Sequence, residues 1–500
     1  MNKGNPPATC EHTGGPPPFG KGGNTSEQSQ GEDSTRNGHL SKITVVGAGL
    51  AGCEAAMICA NAGIPVTLLD MKPRQFSLAH QNPHFAELVC SNSLKAQKTA
   101  SAAGLLKAEM ARLGSVCVAA AYECRVPAGG ALAVDRDRFA AIITEKIKAH
   151  PLISFRPGLV ERIPRDGITI IATGPLTAGG LAEDLAQTCG GYLSFYDAAS
   201  PIVTSQSIEM SRAFVASRYD KGDADYINCP MDKAEYEAFH AALIAAKTAP
   251  LHEFDQRAGT PPVSRADIPP LTRGAKEMVL PETPFAPPTV YEGCMPVETL
   301  AKRGQDAIRF GPLKPVGLRD PATGRRPWAV VQLRKENLEG SLYNLVGFQT
   351  NLTFPEQRRV FSLIPALQNA EFVRYGVMHR NTFIDSPRLL NPDYSLKTDA
   401  SLFFAGQITG VEGYMESAGS GILAGINAWR RLAGQSSFVL PRQTMLGALT
   451  AYITDSGVRD FQPMGANFGI LPGIEPHIKN KAERYAALAE RALSVLEDYL

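Results

Sequence analysis

The sequence predicts an α/β protein: a doubly wound, Rossmann-type domain interrupted by an inserted α/β domain. Three observations predict it. A strand, a glycine-rich turn and a small-residue helix open the patterned part of the chain near Ser41. A buried strand and a second small-residue helix return at 401–433. Between about Pro175 and Phe372 the pattern changes to short alternating strands, an amphipathic helix and dense proline.

Taken in order, residues 42–46 read as a short buried strand and 50–62 as a helix, closed by Gly63. Residues 65–69 read as a second strand, which completes a βαβ opening. A loop-rich stretch at 71–98 leads to helical patterning at 102–113. Residues 167–174 form a further apolar strand with glycine at its carboxyl end. Residues 211–218 alternate like a strand. Residues 232–247 read as an amphipathic helix with Asp232 and Glu235 spaced as a capping box. Prolines crowd 249–288, which reads as long loops or an arm. After the strand at 401–406 and the helix at 421–433, residues 485–500 carry an apolar stripe at helical spacing. The division expected is a disordered extension (1–40), a first Rossmann part (41–174), an inserted substrate-facing domain (175–372), and a second Rossmann part with a C-terminal helix (373–500).

Composition is that of a globular protein, with 44% apolar and 20% charged residues. A net charge of +1 gives no global attraction to nucleic acid or membrane, so any RNA contact must come from a local patch. No apolar run approaches the ~20 residues that span a bilayer. The first forty residues lack the apolar centre of a secretory signal, so the cytoplasm is the expected compartment. Nine cysteines, an odd number, with no CxxC pair argue against a disulfide framework and leave no metal site in view.

Gly47-Ala48-Gly49-Leu50-Ala51-Gly52 joins the first strand to the first helix. Gly47 permits the tight turn, Gly49 lets backbone approach a pyrophosphate, and Gly52 allows helix to pack closely on strand. The helix amino terminus then offers free N–H groups to phosphate. Asp70 stands 23 residues after Gly47, at the end of the second strand, where a carboxylate can hold a ribose hydroxyl. The competing reading is a glycine turn that only packs a helix. FAD is preferred over NAD because two later segments fit a glutathione-reductase-like, FAD-binding arrangement. One is the strand end at Gly174; the other is the strand and loop carrying Gly406 and Gln407. Gly419-Ser-Gly421 imitates a second fingerprint, but no strand precedes it, so tight helix packing is the better reading.

Cys90 stands in a polar turn before an expected helical stretch, where helix N–H groups and Lys95 would favour a thiolate. Cys229 is read as a loop residue three positions before the Asp232 cap, where dipole activation is weak. Cys53 and Cys59, on the first helix, read as core.

The strings GAGLAG, FAELVCSNSLK, ATGPLT, YINCPM, YEGCMPVE, RFGPLKPVGL, NLVGFQTNL, GVMHRNTFI and GQITGVEGYMESAGSGILAGINA occur in this order. Together they resemble the folate- and FAD-dependent tRNA uracil-5-methyltransferase family, over about residues 43–471. Two departures stand out: the extension of residues 1–40, and Asp70 where the family carries Glu. The resemblance implies reductive methylation of carbon 5 of the T-loop uridine (position 54) of tRNA. Methylenetetrahydrofolate is the implied carbon donor, and FAD reduced by NAD(P)H the implied cofactor. It also implies two functional cysteines, at Cys90 and Cys229. One adds to uracil carbon 6 to activate carbon 5; the other assists protonation or shields the cofactor. Cys229 is favoured as the nucleophile, though no spacing argument decides it.

The RNA patch is expected in 302–335, where nine Lys or Arg stand against Asp306 and Asp320. Lys302, Arg303, Arg325, Arg326 and Lys335 are its RNA-binding candidates, with Trp328 as a stacking surface. A solvated charged face is the plain alternative. His379-Arg380-Asn381 either lines the site or is structural. No obligatory protein partner is expected. Ribosomal RNA as substrate, or a flavin subunit working with a GTPase, remain the alternative functions.

Overall fold

The computed structural model describes residues 42–77, 79–191, 193–220, 225–249, 295–458 and 461–500. The expected disorder of residues 1–40 lies outside them, as does nearly all of the proline-dense stretch 249–288.

The chain opens with β1 (Ile43–Val46), α1 (Leu50–Asn61), β2 (Val66–Asp70), β3 (Ser93–Ala96), α2 (Ala102–Arg112) and α3 (Val116–Glu123). There follow β4 (Arg125–Val126), β5 (Ala131–Val134), α4 (Arg136–Ala149), β6 (Ile153–Pro157), β7 (Ile168–Ile171) and α5 (Gly179–Cys189). The middle holds β8 (Leu193–Ala198), β9 (Ile202–Thr204), β10 (Phe214–Val215), β11 (Tyr226–Met231) and α6 (Lys233–Ala245). It continues through α7 (Val297–Ala301), α8 (Ala307–Phe310), β12 (Ala329–Lys335), β13 (Leu342–Leu345), α9 (Phe354–Phe361) and β14 (Phe372–Arg374). The last stretch is β15 (Met378–Phe383), α10 (Ser386–Leu389), β16 (Ser395–Leu396), β17 (Asp399–Phe404), α11 (Tyr414–Leu432), α12 (Met445–Thr454) and α13 (Lys481–Glu497).

One six-stranded sheet has the order β16-β17-β7-β1-β2-β6. It is parallel except for β16. Its central strands β1 and β7 are buried along their whole length, as a sheet covered on both faces requires. A second six-stranded sheet, β10-β11-β12-β13-β9-β14, is antiparallel and comes entirely from residues 202–374. It therefore interrupts the first sheet between β7 and β16. β8 and β15 pair with each other outside both sheets.

Small residues set the tightest helix contact. A Cβ on Gly421 of α11 would collide with the backbone oxygen of Ala51 on α1, and one on Gly425 would lie 3.0 Å from Ala55. The Gly419-Ser-Gly421 string is thus a helix-packing surface. Buried carboxylates tie other elements together. Glu54 on α1 accepts the amides of Val116 and Cys117 at the start of α3. Glu109 on α2 accepts those of Met445 and Leu446 at 2.7 and 2.9 Å. Each closes helix donors that have no partner of their own.

Three local expectations are corrected. Of 211–218, only Phe214–Val215 is strand, because Glu209 draws Ser211 and Arg212 into a 3-10 turn. The stretch after Cys90 is β3, a strand paired with β5, and not a helix. Cys229 lies within β11 and not in a loop. The capping box is present: Asp232 accepts the Glu235 amide and Glu235 accepts that of Asp232.

Candidate active site

The glycine turn sits at the carboxyl end of β1. Gly47 has φ +103, and a Cβ there would stand 2.5 Å from the Ala172 carbonyl oxygen at the end of β7. A Cβ on Gly52 would collide with the Gly47 carbonyl oxygen. Gly49 differs from both: a Cβ there meets nothing within 4 Å, so open space faces the start of α1. That is the cradle a pyrophosphate needs, with unpaired helix amides behind it. Ala48 donates its amide to Asp70 at 2.6 Å, and Lys72 donates to the other carboxylate oxygen at 2.8 Å. Asp70 therefore fastens the turn to β2, and Leu50 and Ala51 continue it as the first turn of α1.

Gly174 (φ +71) has open space around its Cβ direction. Gly406 (φ +84) comes within 3.1 Å of Ala51 Cβ on the same reckoning, so β17 ends against the glycine turn. The Gly406 amide donates to Ser420 of α11, and Gln407 donates to Glu412. The residues expected to hold FAD are thus gathered at the carboxyl ends of β1, β7 and β17, with α1 and α11 meeting them. The cradle fits the cofactor.

Cys90 is the only part-exposed thiol among the seven described cysteines. Its amide and that of Ser91 donate to the Tyr414 hydroxyl at 2.6 and 3.1 Å, so the first residue of α11 holds the turn from 324 positions away. Burial pushes the Tyr414 hydroxyl far up from the usual tyrosine range. The Lys95 ammonium, five residues on, ion-pairs with Glu416 at 2.8 Å. The guanidinium of Arg374, at the end of β14, interacts electrostatically with Cys90. Burial and neighbouring Arg136 hold Arg374 below the usual arginine range; Tyr414, Cys90 and Glu87 act in the opposite direction. Arg136 and Arg374 line one cavity of about 410 Å³ together with His84, Glu87 and Asp137.

The second sheet meets this turn through one face. Arg334 donates to Asn92 at 2.8 Å and to Ser91 at 2.7 Å, and Asn92 donates to the Lys335 carbonyl at 2.8 Å. Tyr226 lies opposite Arg334, and Asn228 opposite Gln332, to which it is hydrogen-bonded. Side chains alternate along a strand. Ile227, Cys229 and Met231 therefore point the other way, into a core shared with Tyr236, Phe239, Val331 and Leu333. Cys229 is fully buried there, and burial pushes its thiol up to about 12. The structure leaves Cys90 part-exposed but sets Cys229 on the far face of the sheet, in apolar surroundings that oppose a thiolate. Cys294 and Cys10 lie outside the described residues.

The basic candidates stand on three separate segments. Lys302 and Arg303 end α7, which belongs with α6 on the Cys229 side of the sheet. Arg325 and Arg326 are exposed in the turn before β12, and Lys335 is half-buried near the Cys90 turn. Trp328 is no free stacking surface, because the Arg309 guanidinium lies 3.9 Å from its ring centroid. Asn381 is buried on β15; the side chains of His379 and Arg380 lie outside the described residues. Sequence reading missed Tyr414, Arg374 and Arg136, and counted Arg334 only as one of nine basic residues in 302–335. Of the three missed, only Tyr414 stood inside a string already singled out.

The family model described as "Glucose inhibited division protein A" matches residues 42–262 and 273–436. A protein of Acetivibrio thermocellus named methylenetetrahydrofolate--tRNA-(uracil-5-)-methyltransferase TrmFO is 53% identical over 459 residues, covering 92% of this chain and 98% of its own. The proteins of the same name from Heliobacterium modesticaldum and Geotalea uraniireducens are 52% and 53% identical, with the same coverage. The chain belongs to the TrmFO family. Among solved structures, Aquifex aeolicus GidA in its form I crystal matches with a TM-score of 0.62 at 16% identity, over 92% of this chain and 78% of that one. The form II crystal gives 0.60, with 74% of that chain covered. At such identity the likeness carries the fold alone, a family fold with a Rossmann-type flavin-binding domain. No helix among the described residues is long and apolar enough to cross a membrane.

Proposed function

We propose that this chain methylates carbon 5 of the T-loop uridine (position 54) in tRNA, with methylenetetrahydrofolate as carbon donor and FAD reduced by NAD(P)H. The observation that carries the reading is the Cys90 turn. It is held by Tyr414 at the start of α11 and by Arg334 of the second sheet, in a chain of the TrmFO family. Bound FAD supplies the reducing equivalents and carries the one-carbon unit. Gly47 to Gly52, Asp70, Gly174, Gly406 and Gln407 are the residues proposed to hold it.

The chain's own part is to activate the base. Uracil carbon 5 is a poor nucleophile until a thiolate adds at carbon 6, and carbon 5 must later lose its proton. Cys90 is proposed as the cleft thiol, with Arg374 favouring its anion. The role foreseen for Cys229 is not retained, since its burial and its side of the sheet both oppose it. We further propose a division into 41–174 with 373–500 and an inserted unit 175–372, a cytoplasmic location, and no obligatory protein partner.

The test incubates purified protein with an unmodified tRNA transcript, methylenetetrahydrofolate and NADH, then maps 5-methyluridine by mass spectrometry. Methyl at position 54 is expected. Its absence from tRNA, with methylation of ribosomal RNA in a parallel reaction, would overturn the substrate. A 5-fluorouridine minihelix should trap the enzyme covalently, and peptide mapping should find RNA on Cys90. An adduct on Cys229 would refute the assignment.

A further inference from the structure

A second cavity, about 590 Å³, opens at the β10 edge of the second sheet, and its lining includes Tyr219, Gly317, Leu318, Arg319 and Arg326. Tyr219 is 57% exposed and is held at φ +61, a left-handed conformation that is costly for a bulky residue. The surroundings fix it there. Its amide donates to the Gly317 carbonyl at 2.8 Å. A Cβ on Gly317, itself at φ +84, would sit 3.0 Å from the Tyr219 ring, so only glycine leaves room for it. The preceding Arg218 is locked by Gln332 and by the carbonyls of Lys314 and Val316. An aromatic ring is therefore presented to solvent on a rigid, strained support. Strain of this kind persists where surrounding structure imposes it, and it clusters at ligand sites.

Two cations flank the ring. The side chains of Arg319 and Arg326 are exposed and make no hydrogen bond or ion pair among the described residues. The cavity also has a defined relation to the Cys90 turn. Val330, Gln332 and Arg334 lie on one face of β12, two residues apart. Val330 packs on Leu318 of the cavity wall, Gln332 holds Arg218, and Arg334 holds Ser91 and Asn92. At ~3.3 Å per residue, the strand spaces Val330, against the cavity wall, roughly 13 Å along its axis from Arg334, which holds the turn that bears Cys90.

We propose that this cavity is a single-stranded RNA subsite: a base neighbouring the modified uridine stacks on Tyr219, while Arg319 and Arg326 contact its phosphates. An aromatic face with unpaired guanidiniums is the chemistry that binds an unstacked nucleotide without reading its sequence. The inference rests on the RNA-methylating reading above and adds to it the place where the flanking strand is held.

The test measures binding of an unmodified tRNA transcript across a salt series, steady-state methylation, FAD content and flavin reduction by NADH. Tyr219→Ala should weaken RNA binding about 5- to 150-fold, the range of one lost stacked base, with the rise in KM and not a fall in kcat. Tyr219→Phe should restore binding, because the ring and not the hydroxyl stacks. Arg319→Ala with Arg326→Ala should make the log–log salt slope shallower by ~0.7 for each lost contact on a single strand. FAD content and flavin reduction should stay at the wild-type level in all three. Wild-type binding and methylation with unchanged affinity in Tyr219→Ala, or no rescue by Tyr219→Phe, would overturn the subsite alone. Failure of the wild-type protein to bind or methylate the transcript would instead overturn the functional reading on which it rests.

Discussion

Gly49 and Gly52 lie three residues apart in one turn, yet the structure assigns them opposite kinds of necessity. A Cβ on Gly52 collides with the Gly47 carbonyl oxygen, which is backbone fixed between β1 and α1. Gly52→Ala should therefore destabilise even the flavin-free protein, by ~3 kcal/mol, the upper end of ordinary overpacking. A Cβ on Gly49 meets nothing within 4 Å, and its φ of −74 suits any residue. Gly49→Leu should cost the flavin-free protein only the poorer helix cap, ~1 kcal/mol. Its loss appears with FAD: a ligand at a hundred times its Kd stabilises the wild type by ~2.7 kcal/mol, and Gly49→Leu should gain almost none of that. Urea unfolding of both variants, with and without FAD, separates the cases. A Gly49→Leu protein stabilised by FAD as much as wild type would refute the pyrophosphate assignment. A Gly52→Ala apoprotein as stable as wild type would refute the packing argument.

Cys90→Ala should fold, bind FAD and accept electrons from NADH, yet methylate tRNA at a small fraction of the normal rate. Cys229→Ala should lose ~1 to 2 kcal/mol of stability in urea unfolding and keep most activity, because it deletes only a buried sulfur. Burial raises the Glu109 carboxyl to about 8 from its ordinary 4.5, so the folded state holds its proton more tightly than the unfolded chain does. Its contribution is full below about pH 4.5 and fades as pH rises through about 8. Glu109→Gln should flatten the fall of Tm over that window relative to wild type; an identical slope would show that the carboxylate is already ionised. Neutralising Arg325, Arg326 and Lys335 together should flatten the salt dependence of RNA binding by ~0.7 to 0.9 per lost phosphate contact. An unchanged slope would return these residues to the plain solvated face.

Sequence determined what depends on a few neighbouring residues. The glycine turn needs Gly47 at φ +103 and Gly52 without a Cβ, and both needs are written within six residues. The Asp232 capping box is equally local, with each partner three positions from the other. The resemblance in ordered strings reached the family, because those strings occupy nearly the whole folded chain. Tertiary structure decided which side of an element meets which neighbour. Period-two alternation in YINCPM says that Asn228 and Cys229 face opposite ways, but not which of them faces the cleft. Only the pairing of β11 with β12, and the reach of Arg334 to Ser91 and Asn92, puts Cys229 on the buried side. The support of Cys90 was illegible for the same reason. A helix expected next to it would have been a local cause; the actual partner, Tyr414, is 324 residues away. The ion pair that Lys95 makes with Glu416 is almost equally distant in sequence. Spacing along a chain fixes the faces an element can offer, whereas burial and charge at a thiol are set by groups that only folding brings together.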